Sequence, residues 1–183
     1  VYTTLDMSAV GRASAAITSK YKSFMSLVIS VVDVPKYVNV VCIDNLFPRR
    51  DDHSEWMDRS LRLAEKAFEQ DEVPVGAILL KNGRVIGKGY NQKERLKDPT
   101  AHAEILAITA ASSTIGDWRL KDCTLYVTKE PCSMCAGAII NARISLLVFG
   151  AYDESAGCCG SKYQLCGDHR IGSKTSVIGG VNE

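Results

Sequence analysis

Three residues and a fourth beside them set the chemistry open to this chain. Cys132 and Cys135 lie three apart in Pro131-Cys132-Ser133-Met134-Cys135, and His102 stands upstream in His102-Ala103-Glu104. Two thiolates and an imidazole are a good ligand set for zinc, and three protein ligands leave the fourth tetrahedral position open to water. That is the arrangement of a catalytic site. Zinc brings the pKa of a bound water toward ~7, but protons must still be carried between water and substrate. Glu104, two residues past His102, is the candidate carrier.

These residues need elements to hold them. Pro131 suits the first position of a helix, which would place Cys132 and Cys135 on its first turn and on one face. The positive end of the helix dipole favours thiolates there. His102 is expected to open a second helix, capped by Asp98 or Thr100, with Pro99 at its start and Ile105, Leu106 and Ile108 as apolar positions. Residues two apart on a helix point roughly 200° away from each other. His102 and Glu104 can therefore serve one water only if the site lies off the end of that helix. The expected geometry is two helix N-termini converging on one zinc.

The remaining elements are read from pattern. A helix is expected to start at Asp51-Asp52-His53-Ser54 and to cover a sheet through the stripe Met57, Leu61, Ala64 and Phe68, with His53 in its cap. Residues 75–80 and 85–90 are Val- and Ile-rich and are joined through Lys81-Asn82-Gly83-Arg84, a strong hairpin signal. Asn91 ends that hairpin, as a turn residue or as a ligand contact, since an amide both donates and accepts. Gly116-Asp117-Trp118 marks a break, and Trp118 is read as packing. Strand 124–128, the Cys132 helix and strand 146–149 make a β-α-β unit with parallel strands. The motifs then fall at the C-terminal ends of strands, where open α/β sheets bind ligands.

Composition sets bounds but names no partner. At 183 residues with a formal charge of +1, the chain reads as a soluble globular domain, and net charge gives no support to a nucleic-acid face. Seven cysteines against three histidines, an odd count whose best-spaced pair reads as a metal site, favour a reducing compartment. Cys123 is read as a small buried apolar residue. Cys158, Cys159, Cys166 and His169 have the ligand types of a second zinc site, against a simpler account in which the cysteines replace small residues beside Gly157 and Gly160.

Residues 1–50 differ from the rest. Residues 8–30 are rich in Ser and Ala, with Arg12, Lys20 and Lys22 and no acid, as in organelle transit peptides. The apolar run 24–32 is far shorter than the ~20 residues of a membrane helix, and residues 37–43 are a possible short strand. Three readings stand: a dispensable or disordered extension, a targeting segment, or sequence upstream of the natural start. The domain proper is expected at 51–183.

The H-x-E and P-C-x-x-C pair is the signature of the zinc-dependent nucleobase deaminases. Within them the chain resembles the bacterial-type tRNA adenosine deaminases, at residues 72–77, 89–91, 98–105, 124–138, 148–151 and 160–161. The resemblance runs over about residues 54–177. It implies a three-layer α/β/α cytidine deaminase-like fold whose central mixed sheet opens with an antiparallel hairpin. It further implies one zinc per chain on His102, Cys132 and Cys135, proton transfer by Glu104, and a nucleoside contact from Asn91. Asp153 falls in the loop that meets the RNA backbone in that family. The implied reaction is deamination of adenosine to inosine at the wobble position of a tRNA anticodon stem-loop. The implied protein is a homodimer without membrane attachment, cytoplasmic unless residues 1–50 direct it to a plastid or other organelle. The family also carries a further C-terminal helix, which residues up to Glu183 do not supply. Two other readings share the metal motif: a deaminase of free bases or nucleotides such as guanine or cytosine, and a catalytically silent RNA-binding domain with structural zinc.

Overall fold

Asn82 and Gly83 both take left-handed backbone, φ 50° and 70°, the mirror-image turn whose twist matches that of two paired strands. They close a hairpin between β1 (Gly76–Lys81) and β2 (Arg84–Tyr90). The computed structural model describes residues 50–182, with side chains from His53 onward, so the expectations for residues 1–49 lie outside the described residues. β3 (Cys123–Lys129) pairs antiparallel with β1, and β4 (Leu146–Ala151) and β5 (Ser176–Ile178) follow in parallel. The order is β2-β1-β3-β4-β5. This is the expected mixed sheet with a hairpin start.

Alternation along the strands builds two cores. Ile78 and Leu80 of β1, with Tyr126 and Val148, pack against Met57 of α1 (Arg50–Phe68). Ala77 and Leu79 face the other side, with Leu125, Val127, Leu147 and Phe149. There they meet α3 (Ala103–Ile115) and α4 (Ser133–Asn141), which follow a single short turn, α2 (Lys93–Leu96). Each large side chain so buried stabilises the fold by about 1.5–3 kcal/mol. The result is α1, sheet, then α3 and α4: three layers. Among the described residues no helix is long and apolar enough to cross a membrane.

Helix α1 corrects the expected stripe. Met57 and Ala64 are buried, but Leu61 is 38% and Phe68 71% exposed, and Ser60 and Ala67 are buried in their place. A Cβ on Gly76 would overlap the Ser60 carbonyl oxygen and crowd the Ala64 nitrogen. The helix thus lies directly on the β1 backbone, and only small side chains fit between. His53 falls inside this helix, its Nδ1 2.7 Å from the Tyr126 hydroxyl. α3 meets β2 in the same way, over Gly87 and Gly89, where a Cβ would overlap the carbonyl oxygens of Ala107 and Ala103. Trp118 is a second correction: it is 51% exposed, with the Arg119 and Arg143 guanidinium groups 4.2 Å and 5.4 Å from the centre of its ring. Two cations hold it at the surface.

Candidate active site

The two motif helices start side by side, each later than the sequence suggests, at Ala103 and Ser133. His102 is the N-cap of α3 and Cys132 the N-cap of α4, both with extended backbone. Asp98 caps the turn before α3 instead, its Oδ1 accepting from the Thr100 N–H at 2.8 Å and hydroxyl at 2.7 Å. Pro131 likewise precedes its helix. Both N-caps therefore project from helix ends, and Cys135 enters from the first turn of α4. His102 Nδ1 lies 3.8 Å from Cys132 Sγ and 3.6 Å from Cys135 Sγ.

These separations suit one metal ion. Tetrahedral bonds of about 2.3 Å to sulfur and about 2.0 Å to nitrogen put those atoms about 3.5 Å apart. All three donor atoms lie within 4.8 Å of one another, the one such His, Cys, Asp or Glu group among the described residues. A hydrogen bond from the Cys135 thiol lowers Cys132 to about 5 against the cost of burial, helped by the backbone N–H groups of Cys135 and Met134 and by His102. The same hydrogen bond raises Cys135, as does its burial. One thiolate forms readily, and a divalent cation that displaces the second proton would gain both sulfurs.

Glu104 stands on the first turn of α3 and is 4% exposed. Burial pushes its carboxyl up, partly opposed by its backbone hydrogen bond. It shares a cavity of about 250 Å³ with His102, Cys132, Asn91, Lys129 and Asp153. A larger groove at Trp118, Arg143 and Lys174 contains none of these residues.

Asn91 is buried rather than an exposed turn residue. Its backbone N–H donates to the Val75 carbonyl at 3.0 Å and its side-chain nitrogen to Glu72 Oε2 at 3.0 Å. Asp153 also borders the cavity, but its oxygens are engaged within the protein. Oδ1 accepts from the Ser155 hydroxyl at 2.6 Å and from the Ser155 and Ala156 N–H groups, and Oδ2 meets Lys129 Nζ at 2.9 Å. The Ser155 hydroxyl first, then Lys129, hold its carboxyl well below the usual range.

Two buried glutamates escape sequence reasoning. Glu72 collects the Asn91 amide and two N–H groups of α2. Glu130, 3% exposed, accepts the N–H groups of Asp153, Cys159 and Ser161 at 2.9–3.0 Å and the Ser161 hydroxyl. Each adjoins a proline motif, Glu72-Val73-Pro74 and Glu130-Pro131, which is the one local signal that marks them. The suggested second metal cluster does not assemble among the described residues. Cys159 Sγ and Cys166 Sγ are 3.5 Å apart and buried, while His169 Nδ1 faces the Ser173 carbonyl oxygen at 3.0 Å. Cys123 is buried, as expected.

A profile of the MafB19-like deaminases matches residues 51–166. The tRNA-specific adenosine deaminase of Bacillus subtilis (strain 168) is 43% identical over 128 residues, covering 70% of this chain and 80% of its own length. The chain belongs to the tRNA-specific adenosine deaminase family. A structure from a study of A-to-I editing by tRNA:A34 deaminases at the wobble position is 42% identical with a TM-score of 0.67, over 69% of this deaminase and 92% of that chain. A guanine deaminase of Bacillus subtilis is 39% identical with a TM-score of 0.54, over 55% of this deaminase and 64% of that chain. The same fold is thus found in a tRNA:A34 deaminase and in a guanine deaminase.

Proposed function

We propose that this deaminase hydrolyses adenosine to inosine, with release of ammonia, at the wobble position of a tRNA anticodon loop. The observation that carries the reading is the meeting of His102, Cys132 and Cys135 beside buried Glu104 in one cavity, in a chain of this family. Zinc, one per chain, is the cation the donor set suits, and when bound it supplies the Lewis acidity that makes water a nucleophile at neutral pH. His102, Cys132 and Cys135 would hold it. Glu104 takes a proton from the attacking water and delivers it to the purine ring nitrogen as C6 is attacked; it then takes the proton of the new C6 hydroxyl and passes it to the amine, so that the C6–N bond breaks, ammonia leaves and the C6 carbonyl of inosine remains. Its burial supports that role, because a carboxyl pushed upward accepts and returns a proton more evenly.

Asn91 orients the nucleoside. Asp153 contributes through the Lys129 ammonium that it holds at the cavity, and Lys93 lines the same cavity. Two cations beside the pocket favour a phosphate-bearing substrate over a neutral free base. A base must leave its stack to enter, which costs least in a loop. Half-buried Ile105, Ile108, Met134 and Ala138 on α3 and α4 support a homodimer formed through those helices. We assign the deaminase domain to residues 51–183, after an extension at 1–50, and place it in the cytoplasm, or in a plastid or other organelle where residues 1–50 act as a transit peptide.

The deciding assay follows inosine in an anticodon stem-loop bearing a wobble adenosine, beside free guanine and cytosine, with Glu104→Ala as the control. Turnover of the stem-loop that weakens as salt rises, and that Glu104→Ala abolishes with zinc retained, supports the reading. Ammonia from free guanine alone overturns it in favour of a free-base deaminase. Zinc binding without turnover of any substrate would leave a structural metal.

A further inference from the structure

We infer that Glu72 is a positioning residue for the nucleoside, acting through Asn91. The inference rests on the adenosine-deaminase reading in one respect, that Asn91 is a nucleoside contact. Glu72 precedes β1 and is 4% exposed. Its Oε2 accepts from Asn91 Nδ2 at 3.0 Å and from the Glu94 N–H at 3.2 Å, and its Oε1 accepts from the Arg95 N–H at 2.8 Å. A carboxylate accepts and does not donate, so Asn91 must turn its nitrogen, and not its oxygen, toward Glu72.

That fixes the sense of the amide. An asparagine with polar surroundings of mixed kind can exchange its oxygen and nitrogen by rotating half a turn. Here the exchange would set a carbonyl oxygen against a carboxylate in a buried site, where unpaired polar groups are most costly. The Asn91 backbone is pinned as well, by its N–H bond to the Val75 carbonyl oxygen. What remains for the cavity is the Oδ1 acceptor and the second N–H, in one order only. A nucleoside, which carries hydroxyl donors and ring-nitrogen acceptors, is then met by a recognition group that is already set before binding.

The same carboxylate also holds the start of α2 through Glu94 and Arg95, and Lys93 of that turn lines the cavity. One buried side chain thus sets both the amide and the turn that carries a cation on a single wall. If Glu72 served only the turn, its loss would be felt whether or not Asn91 were present. If it acts through Asn91, its loss should matter only while Asn91 is there to be misoriented.

A double-mutant cycle separates the two in the zinc-loaded full chain. Glu72→Gln and Asn91→Ala are made singly and together, and zinc content, Tm, kcat and KM for the stem-loop are measured. Glu72→Gln keeps the shape but offers an NH2 group that lets Asn91 reverse. In the wild-type background it should lower kcat/KM about tenfold, mainly through KM. In the Asn91→Ala background it should lower kcat/KM less than about twofold. An equal loss in both backgrounds, or no loss in the first, overturns the inference.

A second measurement needs no folded Glu72 variant. The Asn91 side-chain amide resonances, identified by their disappearance in Asn91→Ala, should exchange slowly with solvent in the wild-type protein. Rapid exchange overturns the inference. Failure of the functional reading looks different: a wild-type protein that leaves the stem-loop adenosine untouched, in which the exchange measurement still decides whether Glu72 holds Asn91.

Discussion

Glu104 and Glu130 are both buried and border the same cavity, yet their surroundings drive their carboxyls in opposite directions. For Glu104, burial prevails and the carboxyl is pushed up. For Glu130, burial is also the largest single influence, but the Ser161 hydroxyl and the N–H groups of Ser161, Asp153 and Cys159 together outweigh it and pull the carboxyl down. In the proposed reaction the first exchanges a proton. The other is fixed as an anion that gathers a loop against the start of α4. Depth of burial therefore does not separate a chemical carboxylate from an architectural one; the number of N–H groups aimed at it does.

The sharpest test of that contrast is Glu104→Gln. Turnover of the stem-loop should fall by about 10²–10⁴-fold, zinc content should hold, and Tm should not drop, because a poorly solvated charge has been removed. Retained turnover would break the assignment. Glu130→Gln should do the reverse. It sets an NH2 group against backbone donors, so stability to urea should fall by about 1–3 kcal/mol, with a smaller loss of turnover than Glu104→Gln. Full stability with turnover abolished would show that Glu130 takes part in the chemistry.

A smaller effect is expected at Asp153, where the ion pair with Lys129 is partly exposed, at 43% for the lysine side chain. Asp153→Asn should cost below about 1 kcal/mol at pH 7 from that pair, read from urea unfolding. The Asp153 carboxyl is held below its unfolded value, so its stabilisation is complete above about pH 4 and is lost as pH falls. The difference between wild type and Asp153→Asn should accordingly shrink on acidification. A difference that grows with acid would mean the carboxylate is not the stabilising species.

His102, Glu104, Cys132 and Cys135 were legible because their spacing along the chain is itself the chemical pattern, and helix geometry already required a site beyond the helix ends. The hairpin was legible from Asn82-Gly83 for the same local reason. Glu72 and Glu130 were not, because their donors come from residues 19–31 positions away, and many of those donors are backbone groups that no side-chain pattern reports. The α1 stripe failed for a related reason. Leu61 and Phe68 have the right period, but the approach of α1 to Gly76 leaves room only for Ser60, Ala64 and Ala67. Likewise Trp118 was expected inside and is held outside by arginines that the sequence places on both sides of β3.

The contact of α3 with Gly87 and Gly89 bears on how the site keeps its dimensions. His102 is joined directly to a helix whose backbone rests on the strand with no side chain between them. The strand is thus a datum surface for the imidazole, and the clearance between the proposed metal ligands is gauged from rigid peptide planes instead of from rotatable side chains. A methyl group added at Gly89 would act as a shim. It would lift the start of the helix and shift His102 away from sulfurs that α4 holds independently, a displacement that a metal's bond lengths would register before the fold did.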